Sequence, residues 1–252
     1  MLQLANDTRR PHKRRLHVGL AQCESEIREA QKLRYRIFAE ELGARLPTRT
    51  PGVDHDLYDP YCDHLIVRDE DNNRIVGTYR ILTPDAARRT GGYYSETEFD
   101  LTRLQLLRES MVEIGRSCID PDYRSGAAIA LLWSGLARYM AQGNYRTLIG
   151  CASIGMADGG HIAANLYSRL GEHMAPPEYR VFPRCPLPVE QLFNGQPAEL
   201  PPLIKGYLRA GAYVGGAPAW DPDFNTADLL IMMPMARVDS RYARHFIERK
   251  AA

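Results

Sequence analysis

Two charged residues stand in a stretch that otherwise has the pattern of a buried strand. Glu113 and Arg116 lie within residues 111–119, where the other residues are apolar or small. Buried charges are unfavourable unless they are paired or used in chemistry. A glutamate in such a place can act as a general base when burial raises its pKa. This pair is therefore the first candidate for a catalytic site.

A polar turn and an apolar helix follow this strand. Ser125 and Gly126 stand just before Ala127, where a run of apolar residues begins. The first N–H groups of a helix have no partner within the helix, so they are available to a ligand. Residues 113–133 therefore predict a site for a thioester-linked or phosphate-bearing ligand, with Ser125-Gly126 as the N-cap of the helix.

The alternation of side chains along a strand constrains the charged pair. In a regular strand Glu113 and Arg116 point to opposite faces. Both can line one cleft only if the strand carries a bulge, and glycine is well suited to one. We therefore predict a β-bulge near Gly115, and a regular strand over residues 111–119 would contradict this prediction.

Other charged residues could complete a site. Asp56 and Asp59 belong to a loop rich in proline and aspartate over residues 44–63. Carboxylates bind an ammonium group at salt-bridge distance, although the same pattern is typical of an acidic turn. Arg80 falls near the end of a predicted strand. Arg34 falls within the apolar face of a predicted helix, where it either lies along the edge of the core or is held for a ligand.

The composition restricts the class of protein. The 252 residues are 44% hydrophobic and 25% charged, and the formal net charge of +1 does not suggest nucleic-acid binding. Five cysteines form no Cys-x-x-Cys pair, and His64 and His161 lack ligand spacing, so we expect no disulfide framework and no metal site. The basic N-terminus lacks the apolar segment of a signal peptide, and no apolar run is long enough to span a bilayer. We expect a cytoplasmic protein.

Hydrophobic periodicity and turn residues predict a single domain of mixed structure. The predicted strands are Leu16–Ala21, His64–Arg68, Arg74–Thr83, residues 111–119, Thr147–Ser153 and Asp228–Met235. The predicted helices are Glu24–Gly43, a short one after Asp100, and 126–142, 160–174, 203–210 and 240–249. This order predicts an α+β fold with a mostly antiparallel sheet flanked by helices.

The chain divides into a domain and two basic ends. We predict a flexible arm at residues 1–15, a single domain at 16–240 and a basic tail at 241–252, with an extension of the domain from about residue 175. Arginine and lysine crowd both ends. These ends are either solvated or a contact surface for an acidic protein or an anionic membrane.

Several short blocks resemble the GCN5-related N-acyltransferase superfamily and, within it, the acyl-homoserine lactone synthases. The blocks are Leu33–Phe38, Asp56–Asp59, Tyr79–Thr83 and Glu113–Ser117. The resemblance implies a twisted, mostly antiparallel central sheet flanked by helices. It also implies that the functional residues of those synthases fall on Arg34, Asp56, Asp59, Arg80, Glu113 and Arg116.

Other blocks resemble the ornithine N-acyltransferases that make lyso-ornithine lipid. They are residues 92–100, 115–119, 128–133 and 150–153, together with 201–211 and 221–225 in the C-terminal extension. This second resemblance implies transfer of a (3-hydroxy)fatty acyl group from acyl carrier protein to the α-amine of L-ornithine. Acyl carrier protein and ornithine are then the expected partners, with peripheral contact at the inner face of the membrane.

The resemblance also implies roles for particular residues. Glu113 would be the general base, with Arg116 beside it, and Tyr167 is either a core residue or the acid that protonates the leaving thiol. Arg34, Asp56, Asp59 and Arg80 would bind the amino acid. Strands 111–119 and 147–153 would be splayed apart. The acyl-pantetheine arm would lie between them, where it would contact Ser117, Cys118, Ser125, Gly126 and Ala127.

The turn after the central strand bears on the identity of the donor. Residues 124–128 are one residue short of the pyrophosphate loop of the acetyltransferases, which favours a carrier protein over coenzyme A. No cofactor is expected beyond the phosphopantetheine of that carrier. The alternatives are an acyl-homoserine lactone synthase that uses S-adenosylmethionine, an N-acyltransferase for another amino acid, and a non-catalytic protein that binds acyl chains or membrane.

Overall fold

The computed structural model describes residues 14–238. Its strands are β1 (Leu16–Leu20), β2 (Asp63–Asp69), β3 (Arg74–Leu82), β4 (Phe99–Asp100), β5 (Met111–Ile119), β6 (Thr147–Gly155), β7 (Phe182–Pro183), β8 (Tyr213–Val214), β9 (Ala219–Asp221) and β10 (Thr226–Pro234). Its α-helices are α1 (Glu24–Tyr35), α2 (Pro84–Thr90), α3 (Ala127–Gln142), α4 (His161–Tyr167), α5 (Val189–Leu192) and α6 (Pro202–Arg209). Most of the predicted arm, and the tail with its helix at 240–249, lie outside the described residues.

Eight strands form one sheet, in the order β1-β2-β3-β5-β6-β10-β8, with β9 also paired to β10. Every pair of strands in this sheet is antiparallel except β5 with β6. Strands β4 and β7 form a separate short ribbon. The predicted mixed, mostly antiparallel sheet flanked by helices is therefore confirmed.

Helices α1 and α3 cover opposite faces of the sheet. Leu65 and Val67 of β2 pack with α3, while Ile66 between them packs with α1. This is the alternation expected of a strand that is buried on both faces. The same alternation in β5 directs Val112 toward the α3 side and Glu113 toward the other face.

Strands β5 and β6 separate soon after they begin. They pair only from Met111 to Glu113, against Thr147 to Ile149, whereas β6 stays paired to β10 along its whole length. Gly150 stands where the two strands part, and a Cβ atom there would lie 2.4 Å from the carbonyl oxygen of Ile114. The predicted separation of these two strands is confirmed. We call this opening the fork.

The predicted bulge in β5 is confirmed. Thr78 pairs with Cys118 and Arg80 with Gly115, so β5 contributes one more residue than β3 to this interval. The left-handed backbone conformation at this bulge belongs to Arg116 (φ 50°) and not to Gly115, the residue that the sequence favours for it. A left-handed conformation is unfavourable by about 1–2 kcal/mol in a residue with a side chain, so Arg116 is held there by its surroundings.

Several helix boundaries differ from the prediction. The α-helix of the predicted segment 24–43 ends at Tyr35 and continues as a π-helix over Arg36–Glu41. Helix α4 ends at Tyr167, short of the predicted residue 174, because Gly171 weakens its continuation and a 3-10 turn follows.

The two other differences concern helix starts. Of the predicted N-cap pair Ser125-Gly126, Gly126 is the N-cap residue, so α3 begins at Ala127, one residue after the predicted start. Helix α2 was not predicted, although Thr83, whose side chain accepts a hydrogen bond from Ala86 N, and Pro84 at its first position are ordinary start signals.

The close contact at the fork generates a prediction about stability. Gly150→Ala places a methyl group against the backbone of β5, and overpacking of this kind lowers the free energy of unfolding by about 1–3 kcal/mol. Gly155→Ala in the same strand is the matched control, because nothing lies within 4 Å of its Cβ position. Chemical denaturation of both variants measures the difference. Equal stabilities would contradict the tight approach of the two strands.

Candidate active site

A cavity of about 610 Å³ opens at the fork. One part of its wall is apolar or aromatic and includes Leu148, Ala152, Leu203, Ile231, Tyr79 and Tyr207. Another part is charged or polar and includes Arg80, Glu113, Arg116, Cys151, Asp221 and Asp228. A cavity that combines a long apolar wall with a few converging charged groups is the usual form of a small-molecule site.

Glu113 lies on the wall of this cavity with 4% of its surface exposed. Its Oε2 accepts a hydrogen bond from Tyr94 N at 2.6 Å, and its Oε1 accepts one from Ser95 N at 2.7 Å. The Ser95 hydroxyl donates a third, short bond to Oε1. A carboxylate can accept about four such bonds, so these contacts leave one acceptor position, on Oε2.

Two opposing effects act on the protonation of Glu113. Burial raises the pKa of the carboxyl, while the bonds from Ser95 and Tyr94 lower it. Burial is the larger effect and the net shift is upward. The side chain is therefore held in one orientation and is a stronger proton acceptor than an exposed glutamate.

A network of three arginines and three aspartates lies next to Glu113. Arg34 is completely buried; its Nε donates to Asp54 Oδ2 at 2.7 Å, and its Nη2 donates to Asp59 Oδ1 and to the Asp54 carbonyl, each at 2.6 Å. Nη1 of Arg34 lies 3.4 Å from His64 Nδ1. Arg34 thus fixes the acidic loop to α1. It does not line the cavity, so the structure does not bring it to a ligand as we had expected.

Arg80 and Arg116 extend this network of ion pairs to the wall of the cavity. Arg80 Nη1 donates to Asp56 Oδ1 at 2.7 Å and to Asp59 Oδ2 at 3.1 Å. Arg116 makes longer ion pairs, Nε to Asp54 Oδ2 at 3.3 Å and Nη2 to Asp56 Oδ2 at 3.5 Å. Both arginines line the cavity. Arg116 is held by the weaker contacts and is the more available of the two.

The predicted amine-binding carboxylates are already occupied by arginines. Asp56 and Asp59 do not line the cavity, and burial, which would raise the pKa of Asp59, is outweighed by Arg34 and Arg80, so that its pKa lies well below the usual range. Asp54 is equally central and was missed, although its spacing in Asp-x-Asp-x-x-Asp was visible in the sequence. This loop acts through the arginines that it positions.

The residues predicted to hold the acyl-pantetheine arm do not all meet. Ser117 lines the cavity, whereas Cys118 is buried against α1. Ser125, Gly126 and Ala127 are exposed at the start of α3 and do not line the cavity. Of the predicted five, the structure brings only Ser117 to the cavity.

Tyr167 also lies away from the cavity. It is the last residue of α4, half-buried against the main core, and it is not part of the cavity wall. The structure therefore supports the core alternative for Tyr167. Tyr79 and Tyr207, whose hydroxyl oxygens lie 2.7 Å apart, are the tyrosines that meet in the apolar part of the cavity.

A second acidic group was not predicted. We call it the acidic cluster: Glu98, Asp221 and Asp228, with the thiol of Cys151 beside them. Glu98, Cys151 and Asp228 each place a polar atom within 4.8 Å of the others, a spacing that suits a cation. Burial, with Asp228 and Asp221 nearby, raises the pKa of Glu98 to about 9. These residues come from three separate segments, so no spacing in the sequence pointed to them.

Residues 33–134 match a family model described as an acetyltransferase (GNAT) domain. The whole chain is similar to curated L-ornithine N(alpha)-acyltransferases. That of Brucella abortus (strain 2308) is 36% identical over 251 residues, which cover 92% of this chain and 88% of that protein. That of Rhodobacter capsulatus is 35% identical over 249 residues, which cover 92% of this chain and 95% of that protein.

Solved structures of more distant proteins share the fold. The CoA-dependent acyl-homoserine lactone synthase MesI superposes with a TM-score of 0.54 at 12% identity, covering 94% of this chain and 97% of that one. FeeM, an N-acyl amino acid synthase from uncultured soil microbes, gives a TM-score of 0.53 at 11% identity, covering 88% of this chain and 92% of that one. At these identities the similarity establishes the fold alone.

The buried network generates a prediction about stability. Arg34→Met leaves two buried aspartates without their main cation and should lower the free energy of unfolding by about 3–5 kcal/mol. Arg88→Met is the control, because Arg88 pairs with Asp85 on the surface and such pairs are worth at most about 1 kcal/mol. Denaturant titrations give both values. A loss below about 1 kcal/mol at Arg34 would show that the network does not depend on it.

The acidic cluster generates a prediction about pH. The folded protein keeps the proton on Glu98 up to a pH of about 9, while the unfolded chain releases it near the ordinary value of 4.5. The unfolded state therefore binds fewer protons in this interval, and stability falls as pH rises from about 5 to 9. Glu98→Gln should weaken that fall, and exposed Glu109→Gln should not. Unfolding free energies at about pH 6 and pH 8.5 test this, and parallel slopes in Glu98→Gln and the parent would contradict it.

Proposed function

The chain belongs to the L-ornithine N(alpha)-acyltransferase family, and we propose that it transfers a fatty acyl group from a thioester donor to the α-amine of L-ornithine. The observation that carries the proposal is the fork. It opens a cavity that holds an apolar wall for an acyl chain and Glu113 with Arg116 for an amino acid. Acyl transfer to an amine needs these two surfaces side by side.

The apolar part of the cavity suits a fatty chain. Leu148 and Ile231 come from the central sheet, and Leu203 and Tyr207 come from α6. Helix α6 belongs to the C-terminal extension, so the extension completes the wall that would contact the acyl group. The paired hydroxyls of Tyr79 and Tyr207 give this wall one polar point, which suits a chain with a hydroxyl near the thioester.

The donor in this proposal is acyl carrier protein, with no cofactor besides its phosphopantetheine arm. Beyond Glu113, the edge of β5 that faced β6 has no strand partner, and an extended pantetheine arm can hydrogen-bond such an edge as an added strand would. Arg124 lies in the turn where acetyltransferases bind pyrophosphate. Its guanidinium donates two hydrogen bonds to the carboxylate of Glu41, at 2.6 and 2.8 Å. Because Arg124 is bound in this way, a carrier-protein donor is favoured over coenzyme A.

Glu113 accepts a proton from the α-ammonium, directly or through water, and the free amine attacks the thioester carbonyl carbon. The carbonyl oxygen becomes an oxyanion, which a backbone N–H at the open edge of β5 stabilises; one such donor is worth about 3 kcal/mol. The carbon–sulfur bond then breaks, and the leaving thiolate takes the proton that Glu113 holds. The attacking nitrogen gives its second proton to the regenerated Glu113 carboxylate, which passes it to solvent, and an amide remains. No acyl-enzyme intermediate is required.

Arg116 positions the acceptor amino acid. Its guanidinium stands 4.6 Å from the ring centre of Phe224 and 5.1 Å from that of Tyr94, so its orientation is set by rings on two sides. Its ion pairs to the acidic loop are long, which leaves it able to bind a carboxylate. We assign the α-carboxylate of ornithine to Arg116, with the α-amine next to Glu113.

The product of this reaction is a lipid, lyso-ornithine lipid, and we propose that it leaves through peripheral contact with the inner membrane surface. In the described part of the chain no helix is both long and apolar enough to cross a membrane. Much of the basic charge at the two ends lies outside residues 14–238, and it is available in this proposal for the acidic carrier protein or for anionic lipid.

Glu113→Gln tests the assignment of the base. The purified protein is incubated with acyl-carrier protein and L-ornithine while the release of carrier thiol is followed. Loss of the base should slow release by roughly 100-fold or more, with little change in carrier binding, because general-base catalysis typically contributes this much.

Glu109→Gln, a change at an exposed residue four positions earlier in the chain, should keep the rate of the parent protein. An unchanged rate in Glu113→Gln would remove the base from its role. Thiol release by the parent protein with S-adenosylmethionine and not with ornithine would overturn the proposed function itself.

A further inference from the structure

The cavity borders two acidic groups that differ in their partners. The aspartates of the acidic loop are neutralised by Arg34, Arg80 and Arg116. In contrast, no lysine or arginine within residues 14–238 forms an ion pair with the acidic cluster of Glu98, Asp221 and Asp228. The acidic cluster is therefore the part of the site that lacks a cation.

The acidic cluster lies on the same face of the sheet as Glu113. In β5, β6 and β10 the side chains of Glu113, Cys151 and Asp228 belong to the face opposite α3, by the alternation that their apolar neighbours show. Asp228 pairs with Ser153 in the register of β6 and β10, two residues beyond Cys151. Ser95 Oγ contacts both Glu113 Oε1 and, at 3.4 Å, Cys151 Sγ. A short row of side chains thus leads from the base to the cluster.

Unpartnered oxygens point to a missing ligand. Asp228 is 4% exposed and lines the cavity, yet its Oδ1 has no hydrogen-bond partner among the described residues. By geometry neither oxygen of Glu98 has one, while its side chain interacts with the carboxyl group of Asp228 and the thiol of Cys151. Buried polar atoms nearly always have partners, and a buried carboxylate without one is unfavourable. Burial first, and then the neighbouring carboxyl groups, raise the pKa values of Glu98 and Asp228, as expected for buried carboxyl groups that have no cation beside them.

We propose that Glu98, Asp221 and Asp228 bind the side-chain ammonium of the acceptor amino acid and so select ornithine among amino acids. This inference rests on the proposed function. With the α-carboxylate on Arg116 and the α-amine at Glu113, the side chain of ornithine extends along the row of Ser95 and Cys151. Its ammonium then meets Asp228 and supplies the donors that the cluster lacks.

The arrangement explains how one amine is acylated and the other is not. The α-ammonium lies beside one carboxylate that can take its proton, whereas the side-chain ammonium lies among several carboxyl groups that hold its charge. A neighbouring negative charge favours the protonated form of an amine, and a protonated amine is not a nucleophile. The cluster thus provides recognition and protects the second amine.

The test compares ornithine with norvaline, which has the same carbon chain and lacks the side-chain amine. The ratio of kcat/KM for the two amino acids is measured with acyl-carrier protein as donor. We expect the parent protein to prefer ornithine by at least about 100-fold, because a site built for a polar group strongly rejects an analogue that lacks it. Asp228→Asn and Glu98→Gln should each reduce the preference at least about tenfold, mainly through KM for ornithine.

Asp223→Asn is the matched control, since Asp223 is exposed, lies two residues from Asp221 and is not part of the acidic cluster. Thermal unfolding of each variant establishes that it is folded. If Asp228→Asn does not fold, Glu98→Gln decides the test. An unchanged ratio in the folded variants, with ornithine still acylated, would overturn this inference and leave the proposed function intact. No turnover of ornithine by the parent protein would overturn the proposed function.

A metal ion is the rival ligand for the same atoms. The parent protein is therefore also assayed after treatment with a chelator and after readdition of magnesium or zinc. We expect the preference for ornithine to be unchanged. A preference that disappears with the chelator and returns with one metal would assign Glu98, Cys151 and Asp228 to that metal and would overturn the ammonium assignment.

Discussion

The separation of β5 from β6 is the constraint on which the site depends. The two strands share a parallel ladder for three residues and are then held apart, with β6 fixed to β10 and β5 fixed to β3. A gap in a sheet leaves unpaired backbone groups, which is unfavourable unless a ligand or solvent satisfies them. In this fold the gap in the sheet lies at the fork. The cavity, the base and the open strand edge are all located there.

The distribution of charge follows from the same opening. Beside the fork, the bulge turns Arg116 toward the face that Glu113 occupies, at the expense of a left-handed backbone conformation. The acidic loop holds Arg116 and Arg80 in place through ion pairs, in which the negative charges of its aspartates are paired with arginines. The cavity wall carries the guanidinium groups of Arg80 and Arg116 as well as the carboxyl group of Asp228, and these give it a polarity. A substrate with a carboxylate and a distant ammonium matches that polarity.

The sequence predicted the helices and strands with a strong hydrophobic periodicity well, and it predicted their end residues poorly. The strands over 111–119 and 147–155 and the helix over 127–142 follow the predicted positions closely, because their apolar alternation or helical spacing is unambiguous. The π-helix after Tyr35 and the early end of α4 depend on packing against other segments, which local propensity does not report. The bulge in β5 was predictable because two charges required it; the residue that takes the left-handed conformation was not.

The sequence alone determined the fold, the separation of the strands at the fork, and Glu113 and Arg116 as neighbours in one cleft. The fold and the charged pair follow from periodicity and from charges placed on a buried strand, and the separation of the strands follows from the resemblance of several short blocks to a known superfamily. Which acidic residues are free to bind a cation was decided only by tertiary structure. In the sequence Asp56 and Asp59 look available to bind a cationic ligand. In the folded protein they form ion pairs with arginines from α1 and β3. Asp228 looks like an ordinary strand residue, and folding leaves its Oδ1 without a hydrogen-bond donor among the described residues, because pairing depends on segments that are far apart in the chain.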